Sequence, residues 1–201
     1  MTVRAHCSRW MSAAVFSLAA LCGAAQADSA LDAALAGEHR SEANRARDVY
    51  RHPVETLGFF GIKPDMTVVE LWPGRGWYTE VLAPYLRDKG KLYAAHFPAQ
   101  SNVEYYQKGL AAFKAMLAAN PALYDRVVLT ELGPPDSVAV APAASADAVL
   151  TFRNMHNWMG QGNDVKVMQA AFAALGDTDR EKYLAIGESD RMTLRFRKPA
   201  Q

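Results

Sequence analysis

The stretch that decides the fold reads Met66-Thr67-Val68-Val69-Glu70-Leu71-Trp72-Pro73-Gly74-Arg75-Gly76-Trp77-Tyr78-Thr79. Its first half, 66–71, is an almost unbroken apolar run with β-branched members and one acid, Glu70. Such a run predicts a strand buried on both faces, the kind that lies inside a parallel sheet. Trp72 to Gly76 is a turn, and 77–86 resumes helical spacing through Val81, Leu82 and Tyr85. Two glycines between a buried strand and a helix let the backbone come close to a ligand and aim helix-start N–H groups at it. As a G-x-G-x-x-G dinucleotide fingerprint the turn is incomplete, because Thr79 stands at the third glycine position. A tight βα turn without a ligand has the same appearance.

Downstream the alternation continues. Gly90 breaks the helix and 91–97 predicts a second strand. The longest helical pattern is 102–119, with Tyr105, Leu110, Phe113, Met116 and Leu117 on its apolar side. A third strand follows at 126–132, then a Pro/Ala/Ser-rich loop to Ser145. A fourth strand is expected at 146–152, and a helix at 165–175 with Val167, Met168, Ala171 and Phe172 inward. The segment 192–197 alternates apolar and charged residues, as an antiparallel edge strand does. Strands alternating with helices give right-handed parallel βαβ units and an open α/β sheet. Sheets of this kind bind ligands at the carboxyl ends of their strands, here after Leu71, His96, Glu131 and Phe152.

Upstream, 28–62 reads as a helical N-terminal extension. Residues 28–51 predict one or two helices with an exposed charged face, and Pro53 suits a first helical position. Val54, Leu57, Phe59 and Phe60 are expected to bury that short helix, and Gly61 to end it. Residues 1–27 carry Arg4 and Arg9, an apolar run 11–21 and the small-residue end Ala25-Gln26-Ala27. That is the three-part pattern of a secretory signal peptide, which places a single domain, 28–201, in the periplasm or another extracytoplasmic space. Bulky Leu21 before Cys22 argues against a lipoprotein signal. Both cysteines, Cys7 and Cys22, would leave with the leader.

The 201 residues, 50% hydrophobic and 21% charged, suffice for one domain with a real core and exclude a disordered tail. Lys+Arg 22 against Asp+Glu 21 gives no electrostatic reason to seek nucleic acid. No segment after the leader is long and apolar enough for stable membrane insertion, so the expected partner is a small-molecule substrate. No His/Asp/Glu cluster has metal-ligand spacing, and no G-x-S-x-G elbow is present.

After the fourth strand comes Phe152-Arg153-Asn154-Met155-His156-Asn157-Trp158, an unusual concentration of polar side chains at the mouth of an apolar strand. As a histidine, His156 is a candidate to accept a proton from an attacking hydroxyl or amine, with Asn154 orienting the acceptor. The blander reading, in which His156 and Trp158 cap the sheet, stands beside it.

Residues 69–79 and 146–158 together resemble the class I S-adenosylmethionine-dependent methyltransferases, more narrowly an exported predicted-methyltransferase group. The likeness covers about 47–175, with 192–199 as a detached last piece. It implies a Rossmann-like methyltransferase sheet of parallel strands with flanking helices and an antiparallel last strand. It also implies S-adenosylmethionine as cofactor, with Glu70 and the Gly74/Gly76 backbone against its methionine part. Trp72 occupies the family's first glycine position and would narrow that pocket. The resemblance puts His96 where the family offers an acid to the ribose, and Glu131 and Leu132 beside the adenine. It turns the loop of Asn154 and His156 toward the transferred methyl and the acceptor.

The family continues from its fourth crossover helix into a further strand, helix and antiparallel pair. Here 176–191 is all that separates that helix from the closing strand, too short for a crossover unit of about 30 residues. An internal C-terminal deletion is therefore expected. The leading reading is methyl transfer to a small-molecule acceptor. Export carries the chain away from the compartment where the methyl donor is made. That keeps a non-catalytic exported α/β ligand- or partner-binding protein as the alternative. A nicotinamide-dependent oxidoreductase comes third, set back by Thr79 and by the missing acid after the second strand.

Overall fold

The computed structural model describes residues 28–176. The expected leader 1–27, the closing strand at 192–197 and the shortened region between helix and closing strand lie outside the described residues. The chain begins with α1 (Ser29–Ala36), capped by Asp28, whose carboxylate accepts from the Ala30 and Leu31 N–H groups. Two single-turn helices follow, α2 (Glu42–Arg45) and α3 (Asp48–Arg51), then α4 (Pro53–Phe60), which Gly61 ends in a left-handed conformation. The sequence reading of one or two helices over 28–51 becomes three. The 37–41 and 46–47 segments break the pattern with Gly37 and with the Ser41 cap.

The central strand is β1 (Thr67–Leu71), followed by α5 (Thr79–Leu86) and β2 (Lys91–His96). Then come α6 (Glu104–Ala119), the short α7 (Pro121–Tyr124) and β3 (Val128–Glu131). β4 (Ala148–Thr151), α8 (Met155–Gly160) and α9 (Asp164–Leu175) complete the described part. All pairings are parallel and the order is β3-β2-β1-β4. The chain winds outward through β2 and β3, then crosses back to place β4 on the other side of β1. The switch point therefore lies between β1 and β4. Register aligns the carboxyl ends: Leu71 opposes both Ala95 and Thr151, and His96 opposes Glu131.

Side chains alternate across the sheet, so β1 feeds two cores. Val68 packs with Leu92, Ala148 and Leu150 under α1, α4 and α5. Val69 and Leu71 pack with Tyr93, Ala95 and Val149 under α8 and α9. Two expectations for the helix faces are corrected. On α4 the buried stripe is Pro53, Leu57 and Phe60, whereas Val54 and Phe59 are 47% and 59% exposed. Helical rotation carries positions 54 and 59 off a stripe that runs through 53, 57 and 60. On α6 the stripe through Leu110 and Phe113 passes through Tyr106, and Tyr105 points to solvent. Residues 155–160, the first four of which belong to the polar stretch 152–158 read as a loop, form α8, anchored by the fully buried Trp158.

The N-terminal extension is fastened to the start of α5 by polar groups. The buried Arg40 guanidinium donates to both oxygens of Asp48 at 2.6 and 2.7 Å, and its Nε lies 3.9 Å from Glu80. Asn44 donates to Glu80 at 2.9 Å, and Trp77 Nε1 donates to the Asn44 carbonyl at 2.9 Å. Removing one partner of such a pair strands the other charge in the interior. Asp48→Ala is expected to lower unfolding free energy by about 3 kcal/mol, and Arg40→Met/Asp48→Ala by distinctly less. Urea titration of the three proteins checks this, and equal losses would show that the pair does not hold the extension down.

Candidate functional site at the carboxyl edge of the sheet

At the end of β1 the backbone turns through Trp72, whose φ of 49° is left-handed, while its N–H still donates to the Ala95 carbonyl at 2.8 Å. Gly74 and Gly76 follow at φ 63° and 86°. The two glycines serve different ends. A Cβ on Gly76 would lie 2.3 Å from Met116 Cε and 3.3 Å from the Phe113 ring, so this position lets α6 close against the turn. A Cβ on Gly74 would meet nothing within 4 Å, so this is the residue whose backbone faces open space.

His96 holds the turn from below. Its Nδ1 accepts from the Phe97 N–H at 2.8 Å, which fixes the tautomer, so Nε2 donates to the Gly74 carbonyl at 2.8 Å. Burial pulls the imidazole below its ordinary pKa and favours this neutral form, while the Gly74 bond opposes the shift and Lys114 adds to it. Both ring nitrogens are thus engaged within the fold rather than directed at a ribose.

Trp72 runs along the edge of the sheet. Its Nε1 donates to the Leu132 carbonyl at 2.8 Å, across the end of β2. The indole packs against Phe97, Trp158 and Tyr106, with ring centroids 4.9, 5.1 and 5.6 Å away. It is 7% exposed, and Leu132 beneath it is fully buried. The crevice between the turn and the end of β3 is filled by this aromatic group. Glu131 is exposed, and its carboxylate accepts from the Ala99 N–H at 3.1 Å.

On the opposite face of β1, Glu70 is 2% exposed and accepts from Thr79 Oγ1 at 2.6 Å. Burial pushes its carboxyl up to about 7, against the Thr79 hydrogen bond and the positive charge of Arg51. Beside it Tyr78 stacks on Phe152 with centroids 3.5 Å apart. The Arg51 guanidinium lies 4.6 Å above Trp77 and 5.7 Å from Tyr78.

The β4 end supplies Asn154, whose side-chain amide donates to the carbonyls of Leu71 and Trp72, each at 3.2 Å, and to Thr151 Oγ1 at 3.0 Å. It thereby ties the start of α8 to the turn after β1. Arg153 is exposed with φ 64°, and His156 is exposed in the first turn of α8. Of the residues singled out in the sequence, Glu70, Trp72, Gly74, Gly76, His96, Leu132 and Asn154 come together at the edge, whereas Glu131 and His156 lie out toward solvent. Thr79 enters the sequence reading only as the residue that breaks the fingerprint, and Tyr106 and the Arg51–Trp77 stack do not enter it. Thr79 had a visible signal, a hydroxyl where the fingerprint has glycine. Tyr106 had one too, on the helical stripe through Leu110.

No family model matches the chain, and no curated protein matches it. Among solved structures, the chain is similar to a SAM dependent methyltransferase from Aquifex aeolicus, at 19% identity with a TM-score of 0.46. That match covers 63% of this chain and 61% of the other. It is also similar to a protein-L-isoaspartate O-methyltransferase, at 14% identity with a TM-score of 0.40, covering 55% of this chain and 32% of that one. The match thus spans about three fifths of the first structure's length and about a third of the second's.

The Glu70 environment has a pH signature. A carboxyl protonated in the fold up to about pH 7, but ionised when unfolded above about 4.5, makes the folded state bind more protons between those values. Stability therefore falls as pH rises through that window, by about 3 kcal/mol in all, and levels off above it. Glu70→Gln, which cannot ionise, is expected to remove this loss and to be the more stable protein at pH 8. Urea melts of both proteins at pH 5 and pH 8 measure it, and parallel pH dependence in the two would refute the assignment.

Proposed function

We propose that this domain binds S-adenosylmethionine at the turn after β1 and transfers its methyl group to a small-molecule acceptor. The observation that carries the reading is the pairing of an open, left-handed Gly74 with an acid, Glu70, buried beneath the same turn at the switch point. When bound, such a donor supplies a methyl carbon made electrophilic by an adjacent sulfonium.

On the methionine side the residues fit. Space is open on the Cβ side of Gly74, and the hydrogen bonds from His96 and Asn154 hold the turn rigid. On the adenosine side they do not fit as arranged, because the Trp72 indole occupies the path from the turn to Leu132. The proposal therefore includes displacement of that indole when the nucleoside half enters. In this reading Asn154 is a positioning residue, His156 takes the proton of the acceptor hydroxyl or amine, and the remaining acceleration comes from proximity and orientation.

Moving the indole breaks one hydrogen bond and several ring contacts, costing about 2 kcal/mol. Trp72→Gly removes that cost and suits the left-handed backbone at this position. Calorimetry with S-adenosylhomocysteine is expected to show micromolar binding to the parent chain and binding on the order of thirtyfold tighter to Trp72→Gly. Gly74→Val, forced into a strained backbone, should lose it. Circular dichroism establishes that both variants fold. Silence from the parent chain and from Trp72→Gly would sink methyl transfer and favour a non-catalytic binding scaffold. Binding of NAD alone would favour an oxidoreductase.

A further inference from the structure

The α5 side of the edge carries a concentration of positive charge that the methyl-transfer reading does not use. Arg51, half-buried in the last turn of α3, lies over Trp77 and Tyr78. Phe152 stacks on the same Tyr78, and the next residue, Arg153, two places past β4, has a left-handed backbone that turns the chain at this point. Arg47 caps α3 one turn before Arg51, whose N–H donates to the Arg47 carbonyl at 3.1 Å. Arg47 and Arg153 both lie close enough to repel the Arg51 charge, after burial the main influences lowering its pKa. Among the described residues none of the three is ion-paired with a carboxylate. The neighbouring Asp48 is engaged by Arg40, and the buried Glu70 is bonded to Thr79. Guanidinium groups over an aromatic floor match the planar, multidentate geometry of a carboxylate or phosphate.

We propose that Arg47, Arg51 and Arg153 form an oxyanion-binding site, with Trp77, Tyr78 and Phe152 as its floor, and that it holds a carboxylate or phosphate of the methyl acceptor. The oxyanion site itself stands on these residues alone, and its assignment to the acceptor rests on the methyl-transfer reading. The site lies on the β1/β4 side of the turn, away from the β2 and β3 ends to which Trp72 and Leu132 belong. An acceptor held there approaches the Gly74 turn from the side opposite the nucleoside path.

The test titrates the full chain with inorganic phosphate and with citrate, followed by calorimetry and by tryptophan fluorescence, to which Trp77 under Arg51 contributes with Trp72 and Trp158. Binding is expected to weaken at least about tenfold in Arg51→Met and in Arg153→Met. Lys108→Met, on the exposed face of α6, should leave it unchanged. Arg153 is exposed, so its variant tests the site even if Arg51→Met fails to fold. No binding to the parent chain, or equal binding by the parent and Arg153→Met, would overturn the site. Phosphate affinity retained at saturating S-adenosylhomocysteine supports the acceptor assignment. Competition between the two would overturn that assignment and give the arginines to the donor's carboxylate. Phosphate binding without S-adenosylhomocysteine binding would leave the oxyanion site standing and remove the methyl-transfer reading.

Discussion

The carboxyl edge of the sheet is organised around the hydrogen bond from Trp72 Nε1 to the Leu132 carbonyl. A left-handed residue immediately after β1 throws its side chain sideways instead of onward along the strand, and the indole then reaches across β2 to the end of β3. Phe97, Tyr106 and Trp158 close on it from β2, α6 and α8, so one residue links four segments that the sheet alone would leave as separate loops. Burying that much aromatic surface stabilises the edge, and it does so in the space a nucleotide-type ligand would use. Stability and ligand access compete for the same volume.

The second constraint acts on the other face of β1. Burial raises the Glu70 carboxyl to about 7, well above an ordinary carboxylate, and Thr79 donates a hydrogen bond to it. A serine, threonine or acid at the start of a helix commonly satisfies backbone N–H groups, but here Thr79 reaches back to the strand instead. The glycine turn is therefore pinned from below by His96, from the side by Asn154 and through α5 by the Glu70–Thr79 bond. What remains open is the backbone of Gly74 and the arginine-lined surface beside Tyr78.

Much of the architecture was legible before any coordinates. Four buried runs separated by helical spacing allow little but a parallel sheet, and β1 to β4 fall within two residues of their expected limits. The helix faces were less legible where aromatic neighbours compete: Tyr105 and Tyr106 look alike in sequence, and only rotation about α6 decides which one meets Trp72. The helix α8 is hard to see in the sequence, because the polar side chains Arg153, Asn154, His156 and Asn157 mask the start of a six-residue helix held by a single buried tryptophan. At the site, residue type identified His96 and Asn154 as polar groups at strand ends. Whether a polar group faces a ligand or a carbonyl of its own turn depends on distances of a few ångströms that sequence spacing does not contain.

The pairing of β1 with β4 joins residues far apart in the chain, with the Thr67 N–H donating to Asp147, and Phe60 of α4 meets Phe152 across a similar interval. Closing so long a loop costs more chain entropy than closing a local one, so this pairing is sensitive to any change that weakens it. β4 covers the flank of β1 that the β2–β3 side leaves bare, and Arg153 follows β4 by two residues, whereas Arg51 belongs to α3. A substitution that loosens β4 would therefore uncover an unpaired flank of the central strand, the kind of edge to which another chain can add.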